Sequence, residues 1–176
     1  MIVVMAGLPG TGKSTLARAL ALAGGGIVLD KDVIRSILFP PDYVEYSNEQ
    51  DDFCQTLMLE TAEFLIKRHP GLRIFLDGRT FSRKYQIDRI IEAADRLNSD
   101  CRIIECLCAE ESARQRLDAT GLTHPARNRS FELYLSIRAQ FEPITRPKLV
   151  VDTDHPLEES VEEAGAYLER GRPVYL

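Results

Sequence analysis

Short apolar runs alternate with amphipathic stretches along the whole chain. Ile2-Val3-Val4-Met5-Ala6 is a continuous apolar run of strand length. After a glycine-rich segment, Leu16 to Ala23 reads as a helix that Gly24-Gly25-Gly26 stops. Ile27-Val28-Leu29 is a short strand ending at Asp30, and Lys31 to Leu38 a short helix closed by Phe39-Pro40-Pro41. Residues 42–52 are polar and acidic, and Ser47 with Gln50 three residues on has the pattern of a capping box. Phe53, Leu57, Thr61, Phe64 and Leu65 mark one face of the helix that follows, which ends at His69-Pro70-Gly71. Arg73 to Leu76 predicts a strand ending at Asp77-Gly78. Phe81 to Leu97 predicts a helix with Ile87, Ile90, Ile91 and Ala94 inward. Arg102 to Cys108 reads as a strand, Glu110 to Leu117 as a helix and 118–129 as a polar loop. Phe131 to Phe141 is helical, Leu149-Val150-Val151 is a last strand ending at Asp152-Thr153, and a final helix covers 157–169.

This alternation predicts right-handed β–α–β units, hence an α/β fold with a parallel sheet and helices on both faces. In such sheets ligands bind beyond the carboxyl ends of the strands. Those ends are Gly7, Asp30, Asp77, Cys108 to Glu110 and Asp152. The 176 residues are read as a single domain, 1–176, with neither repeats nor a low-complexity linker.

Composition narrows the classes. The chain is 44% hydrophobic and 28% charged, ordinary for a globular protein, and carries a net charge of −5. An acidic balance argues against a surface built to grip a nucleic-acid backbone. No apolar run approaches the roughly 18 residues of a membrane span. The first apolar run leads straight into the glycine-rich segment and does not read as a signal peptide, so the expected compartment is the cytoplasm. Cys54, Cys101, Cys106 and Cys108 show no C-x-x-C and no zinc spacing with His69, His124 or His155, and are read as structural thiols.

The glycine-rich segment carries the chemistry. Gly7-Leu8-Pro9-Gly10-Thr11-Gly12-Lys13-Ser14-Thr15 matches G-x-x-x-x-G-K-[ST] between a strand and a helix. Glycines at 7, 10 and 12 let the backbone curl with its N–H groups inward, a nest for phosphate oxygens reinforced by the helix dipole. Lys13 is expected on the β- and γ-phosphates and Ser14 on Mg²⁺.

Three further constellations lie at strand ends or between helices. Asp32 and Arg35 in Asp30-Lys31-Asp32-Val33-Ile34-Arg35 share a helix face. The carboxylate suits a hydroxyl acceptor's proton and the guanidinium an anionic group, against the plainer reading of an N-cap Asp with a surface ion pair. Leu76-Asp77-Gly78-Arg79-Thr80-Phe81-Ser82-Arg83 resembles the end of a Walker B strand. There Asp77 would hold Mg²⁺ or orient a substrate group, and Arg79 or Arg83 would face an anionic acceptor. Arg114, Arg116, Arg127 and Arg129 flank a Gly/Pro loop that reads as a lid over about 118–130, with Arg116 the foremost candidate for charge over the γ-phosphate. There is no N-K-x-D guanine motif, no D-x-x-G where a GTPase needs it, and no Asp-Glu pair ending the Walker B strand. These absences favour a small kinase over a switch or a motor.

On these residues, and on His124-Pro125-Ala126-Arg127-Asn128-Arg129 leading into Phe141-Glu142-Pro143, the chain resembles the small AAA-type, ATP-binding, kinase-like family of phosphate-loop proteins. That group is related to polynucleotide 5′-kinase, zeta toxin, chloramphenicol phosphotransferase and gluconate kinase. The resemblance implies a three-layer P-loop NTPase fold with five parallel strands in the order 2-3-1-4-5, which seats Asp77 beside the phosphate loop. It implies Asp32 as general base, Arg35 as acceptor-binding arginine, and Arg116 as lid arginine. Relatives often carry a second lid arginine one turn later, where this chain has Thr120, and Arg127 or Arg129 stands in. Asp152-Thr153 falls where such kinases pack near adenine.

The expected function is therefore an ATP- and Mg²⁺-dependent kinase that phosphorylates a hydroxyl of a small molecule. Gly7, Pro9, Gly10, Thr11, Gly12, Lys13, Ser14, Thr15, Arg116 and Asp152 are expected to hold the nucleotide, with Lys13, Asp32 and Arg116 catalytic. Asp32, Arg35, Asp77, Arg79, Arg83, Arg127 and Arg129 are expected to hold the acceptor, and Ser14 and Asp77 the metal. A 5′-hydroxyl polynucleotide kinase is the nearest rival, disfavoured because the acidic 42–52 segment repels a phosphodiester backbone. A nucleotide-binding regulatory ATPase is the rival from another class. The chain is expected as a monomer or homodimer, without a membrane partner.

Overall fold

A computed structural model describes residues 1–120, 126, 128 and 130–170. Five strands, β1 (Ile2–Ala6), β2 (Ile27–Asp30), β3 (Ile74–Asp77), β4 (Cys101–Leu107) and β5 (Leu149–Asp152), form one sheet in the order β2-β3-β1-β4-β5. Every pairing is parallel, with Asp30 opposite Asp77 and Leu107 opposite Asp152. The carboxyl ends therefore stand in one row, with β1 central. The seven helices among the described residues are α1 (Lys13–Gly24), α2 (Lys31–Leu38), α3 (Asn48–Arg68), α4 (Lys84–Arg96), α5 (Glu110–Thr120), α6 (Phe131–Ala139) and α7 (Leu157–Leu168).

The period-2 alternation of β1 divides the core into two layers. Val3 and Met5 pack with Leu16, Ala17 and Leu20 of α1 and Ala164 and Leu168 of α7. Ile2, Val4 and Ala6 face the other way, onto Met58 and Ala62 of α3 and Ile87, Ile90 and Ala94 of α4. A strand covered on both faces must be apolar throughout, which is why β1 reads as an unbroken hydrophobic run. Ala113, Leu117, Phe131 and Tyr134 make a third, smaller cluster joining α5 to α6. No helix among the described residues is long and apolar enough to cross a membrane.

Several elements differ from the expected ones; β3 runs Ile74–Asp77 and not Arg73–Leu76, and α6 ends at Ala139, two residues before Phe141. The helix expected from Phe81 starts at Lys84, because Phe81 has φ 55° and is buried. A left-handed non-glycine residue costs about 1–2 kcal/mol. Burying a phenylalanine returns about 1.5–3 kcal/mol, so packing wins over helical continuation. Helix α5 runs to Thr120, three residues into the expected loop. Strand β4 spans Cys101–Leu107, so half-buried Cys108 lies beyond it, beside the phosphate loop. The capping box at α3 is half made. Ser47 Oγ accepts from the Gln50 amide at 3.1 Å, but the Gln50 side chain turns back to the Glu45 amide and the Tyr43 carbonyl. A 3₁₀ turn at Pro41–Tyr43 places that carbonyl.

Candidate functional site

The loop between β1 and α1 has the expected curl. Gly7, Gly10 and Gly12 take φ of 130°, 81° and 76°. The space is as restrictive as the dihedrals: a Cβ on Gly7 would lie 2.3 Å from the Cys106 carbonyl oxygen, and one on Gly10 2.8 Å from that of Ala113. The loop is also tied sideways, since the Gly7 amide donates to the Thr80 carbonyl after β3 at 3.1 Å. Thr11 Oγ1 and Lys13 Nζ both donate to the Leu8 carbonyl, at 2.8 and 2.7 Å. The ammonium thus lies folded over the nest it would share with phosphates. Thr15 is exposed, while Pro9, Lys13 and Ser14 line a cleft of about 240 Å³.

The opposite wall of that cleft is α2 and the start of α3. Asp30 caps α2 by accepting from the Asp32 and Val33 amides. Burial and the neighbouring Asp77 and Asp32 charges push the Asp30 carboxyl above its ordinary value. The cap sets the helix so that Lys31, Asp32 and Arg35 all face inward, each buried. Asp32 Oδ1 receives Arg35 Nη1 at 2.9 Å and Lys31 Nζ at 3.2 Å. Both cations also reach Asp51 in the first turn of α3, Lys31 Nζ at 2.9 Å and Arg35 through its other Nη. The result is a closed ring of two cations and two carboxylates joining α2 to α3. Asp32 Oδ2 takes no partner among the described residues. Burial lowers the Lys31 ammonium to about 8, even with Asp32 beside it. The Asp32–Arg35 pair is thus neither a surface pair nor the helix cap; Asp30 is the cap.

Asp77 lies between the two walls, at the end of β3, fully buried, lining the cleft, and neither carboxylate oxygen has a hydrogen-bond partner among the described residues. A buried, unpaired carboxylate is costly unless a cation, water or ligand completes it. With Ser14 on the same cleft, it fits Mg²⁺, an ion that keeps water and phosphate ligands and takes few protein carboxylates. No group of three or more His, Cys, Asp or Glu among the described residues would hold a metal by protein ligands alone.

The other expected residues divide. Arg79 lines the cleft, but its guanidinium is clamped by Asp52 at 2.7 Å and by Gln55, with Tyr85 at 3.4 Å. Arg83 lies outside the cleft, reaching Glu142 and Gln140. Arg116 lies behind the phosphate loop, where it donates to Thr153 Oγ1 (2.9 Å), the Thr153 carbonyl (2.8 Å) and Asp154 (3.2 Å). Thr153 Oγ1 is itself 3.1 Å from the Thr11 carbonyl, so Arg116, the loop after β5 and the phosphate loop form one chain of contacts. Exposed Asp152 accepts from the Asp154 amide at 3.0 Å and shapes that turn. Arg127 and Arg129, and most of the expected lid, lie outside the described residues. Lys31 and Asp51 were not singled out by sequence reasoning. Their signal is the buried stripe of α3: Asp51 stands at i, with Gln55, Met58 and Ala62 at i+4, i+7 and i+11.

Residues 2–144 match the profile of a protein family described as an AAA domain. Solved structures share the fold. An APS kinase of Mycobacterium tuberculosis, in complex with AMPPNP and APS, is 18% identical with a TM-score of 0.72, over 96% of this chain and 97% of that one. A gluconokinase of Sinorhizobium meliloti 1021 is 20% identical with a TM-score of 0.69, over 95% and 90%. A sugar kinase of Janibacter sp. HTCC2649 is 18% identical with a TM-score of 0.71, over 96% and 94%. At these identities the likeness is one of fold. No curated protein matches the chain in sequence.

Proposed function

The chain belongs to that AAA domain family, as a kinase-like phosphate-loop domain, and from this premise we propose that it is an ATP-dependent kinase acting on a hydroxyl of a small molecule. The observation that supports the reading is that one cleft gathers the residues expected of the donor side and of the acceptor side. Lys13 and Ser14 stand on one wall, Asp32 and Arg35 on the other, and Asp77 between them.

The loop amides and Lys13 bind the triphosphate and hold it in line with the acceptor. Lys13 must leave the Leu8 carbonyl to do so, and phosphate oxygens offer a better charge-assisted partner. Asp32 is held by two cations on Oδ1, which leaves Oδ2 to take the proton of the attacking hydroxyl. A bond then forms from that oxygen to the γ-phosphorus, the bond to the bridging oxygen breaks, and ADP leaves. Ser14 and Asp77 would hold Mg²⁺, which supplies neutralisation of phosphate charge. Arg35 and Lys31 orient Asp32, and Arg116 serves the nucleotide from the side of β5.

Asp32→Asn tests the reading. It is expected to abolish acceptor-dependent ADP release while leaving ATP affinity within about twofold, because Asp32 stands across the cleft from the phosphate loop. Near wild-type turnover in this variant would overturn the base assignment.

A further inference from the structure

The acceptor wall has an unusual charge layout. Among the described residues, its three cations are each paired with a carboxylate. Lys31 and Arg35, 8% and 3% exposed, are covered by Asp32 and Asp51, 11% and 18% exposed. Arg79, 4% exposed, is covered by Asp52 at 31%. Among the described residues, positive charge on this wall is therefore paired with negative: Lys31, Arg35 and Arg79 line the cleft, but each cationic head is already bound to a carboxylate. Two carboxylates are spent on Lys31 and Arg35, so binding an anion there would mean breaking a buried ion pair. Carboxylate oxygens are acceptors only and suit hydroxyl hydrogens. Apart from Lys13 of the phosphate loop and Asp77, the remaining polar lining among the described residues, including Tyr46, Asn48, Ser82 and Asn128, is uncharged.

We propose that the acceptor is an uncharged polyhydroxy compound, and that Asp51 is the residue that determines this by neutralising the two cations of α2. The inference rests on the kinase reading above and names its substrate class. Asp51 comes from α3, 20 residues beyond Lys31, and accepts one cation on each oxygen. Without it, Lys31 and Arg35 share Asp32 alone and the wall gains a net positive charge facing the cleft.

Two measurements on the full chain test this. In the first, ATP-dependent ADP release is followed with a pool of uncharged alditols, cyclitols and nucleosides, and with a pool of their carboxylate and phosphomonoester counterparts. Release is expected to be at least about tenfold greater from the uncharged pool. Equal or greater release from the anionic pool overturns the proposal. The second needs no turnover: protein saturated with AMPPNP is titrated with gluconate. Asp51→Asn is expected to bind gluconate at least about tenfold more tightly than wild type. Adding Lys31→Met to Asp51→Asn restores the balance and is expected to remove the gain. Bound AMPPNP shows that each variant is folded. Gluconate affinity unchanged or weakened by Asp51→Asn overturns the proposal. If neither pool releases ADP while the gluconate gain appears, the kinase reading falls and the charge reading stands.

Discussion

Gly78 is pressed against Asp30: a Cβ at position 78 would lie 2.7 Å from Asp30 Oδ1 and 2.8 Å from the Lys31 amide nitrogen. Asp30 Oδ1 is the atom that caps α2, so the turn after β3 bears directly on the helix that carries Asp32. Gly78 also has φ 83°, where a side chain is strained even in open space.

Gly78→Ala is therefore expected to cost about 2–4 kcal/mol, combining left-handed strain with displacement of a helix cap. Because the displaced element is α2, acceptor-dependent turnover is expected to fall further than ATP affinity. Chemical denaturation and nucleotide titration of the same variant check both parts. Equal losses of the two activities would place the damage elsewhere.

Asp77→Asn is expected to separate stability from turnover. Both Asp77 oxygens are buried without hydrogen-bond partners among the described residues, so removing the charge relieves a desolvation cost. A gain of about 1–2 kcal/mol in the nucleotide-free protein is expected from denaturant unfolding. Turnover is expected to fall at least about a hundredfold, with a raised Mg²⁺ requirement. Loss of stability in this variant would mean the carboxylate is structural.

The parts of this molecule legible in sequence are those governed by local rules. The phosphate loop is visible because Gly7, Gly10 and Gly12 sit where the backbone needs positive φ. The parallel sheet follows from apolar runs buried on both faces. What escaped is tertiary. Phe81 breaks the expected helix only because a core pocket awaits its ring. Asp51 reads as one more charge in an acidic segment. Its companions Asp42, Glu45 and Glu49 are indeed exposed, while Asp51 and Asp52 turn inward to cations of α2 and of the turn after β3. Charge alone does not reveal that a partner is waiting. Arg83 illustrates the converse: its spacing from Asp77 suggested the cleft, yet it stands at the N-cap of α4 and meets Glu142.

Stability is expected to rise and then fall through alkaline pH. Lys31 holds its proton to about pH 8 in the folded chain against 10.5 in the unfolded one. Between those values the unfolded state binds more protons, so this contribution grows as pH rises. Cys101 and Cys106 oppose it. Burial pushes both thiols up to about 12 from 9.0, so the folded state keeps protons that the unfolded state loses. Their contribution, full below pH 9, is lost as pH climbs towards 12. Cys54, Cys108 and Tyr167, also pushed up by burial, fall in the same direction, so one rising group against several falling ones predicts a maximum near pH 9. Lys31→Met is expected to flatten the rise between pH 8 and 9, and Cys101→Ala to shallow the fall above it. Urea unfolding at half-unit pH steps measures both slopes.

Arg116→Ala is expected to raise the KM for ATP about tenfold while leaving the acceptor KM unchanged. Arg116 is absent from the acceptor wall, and it donates to Thr153 and Asp154 after β5. Thr153 reaches the Thr11 carbonyl and packs where a Cβ on Gly12 would stand, 3.2 Å from Thr153 Oγ1. Losing the guanidinium frees the loop after β5 from the phosphate loop, and two or three charge-assisted bonds contribute about 1–2 kcal/mol net at a partly exposed site. Thr153→Ala breaks the same chain at its middle, so it is expected to reproduce a smaller part of the ATP effect. Arg116→Lys retains the charge without the fork that holds Thr153 twice, and should recover less than half of the loss. Steady-state kinetics with each substrate varied in turn decides the matter. A selective rise in the acceptor KM would move Arg116 from the nucleotide side of the cleft to the acceptor side.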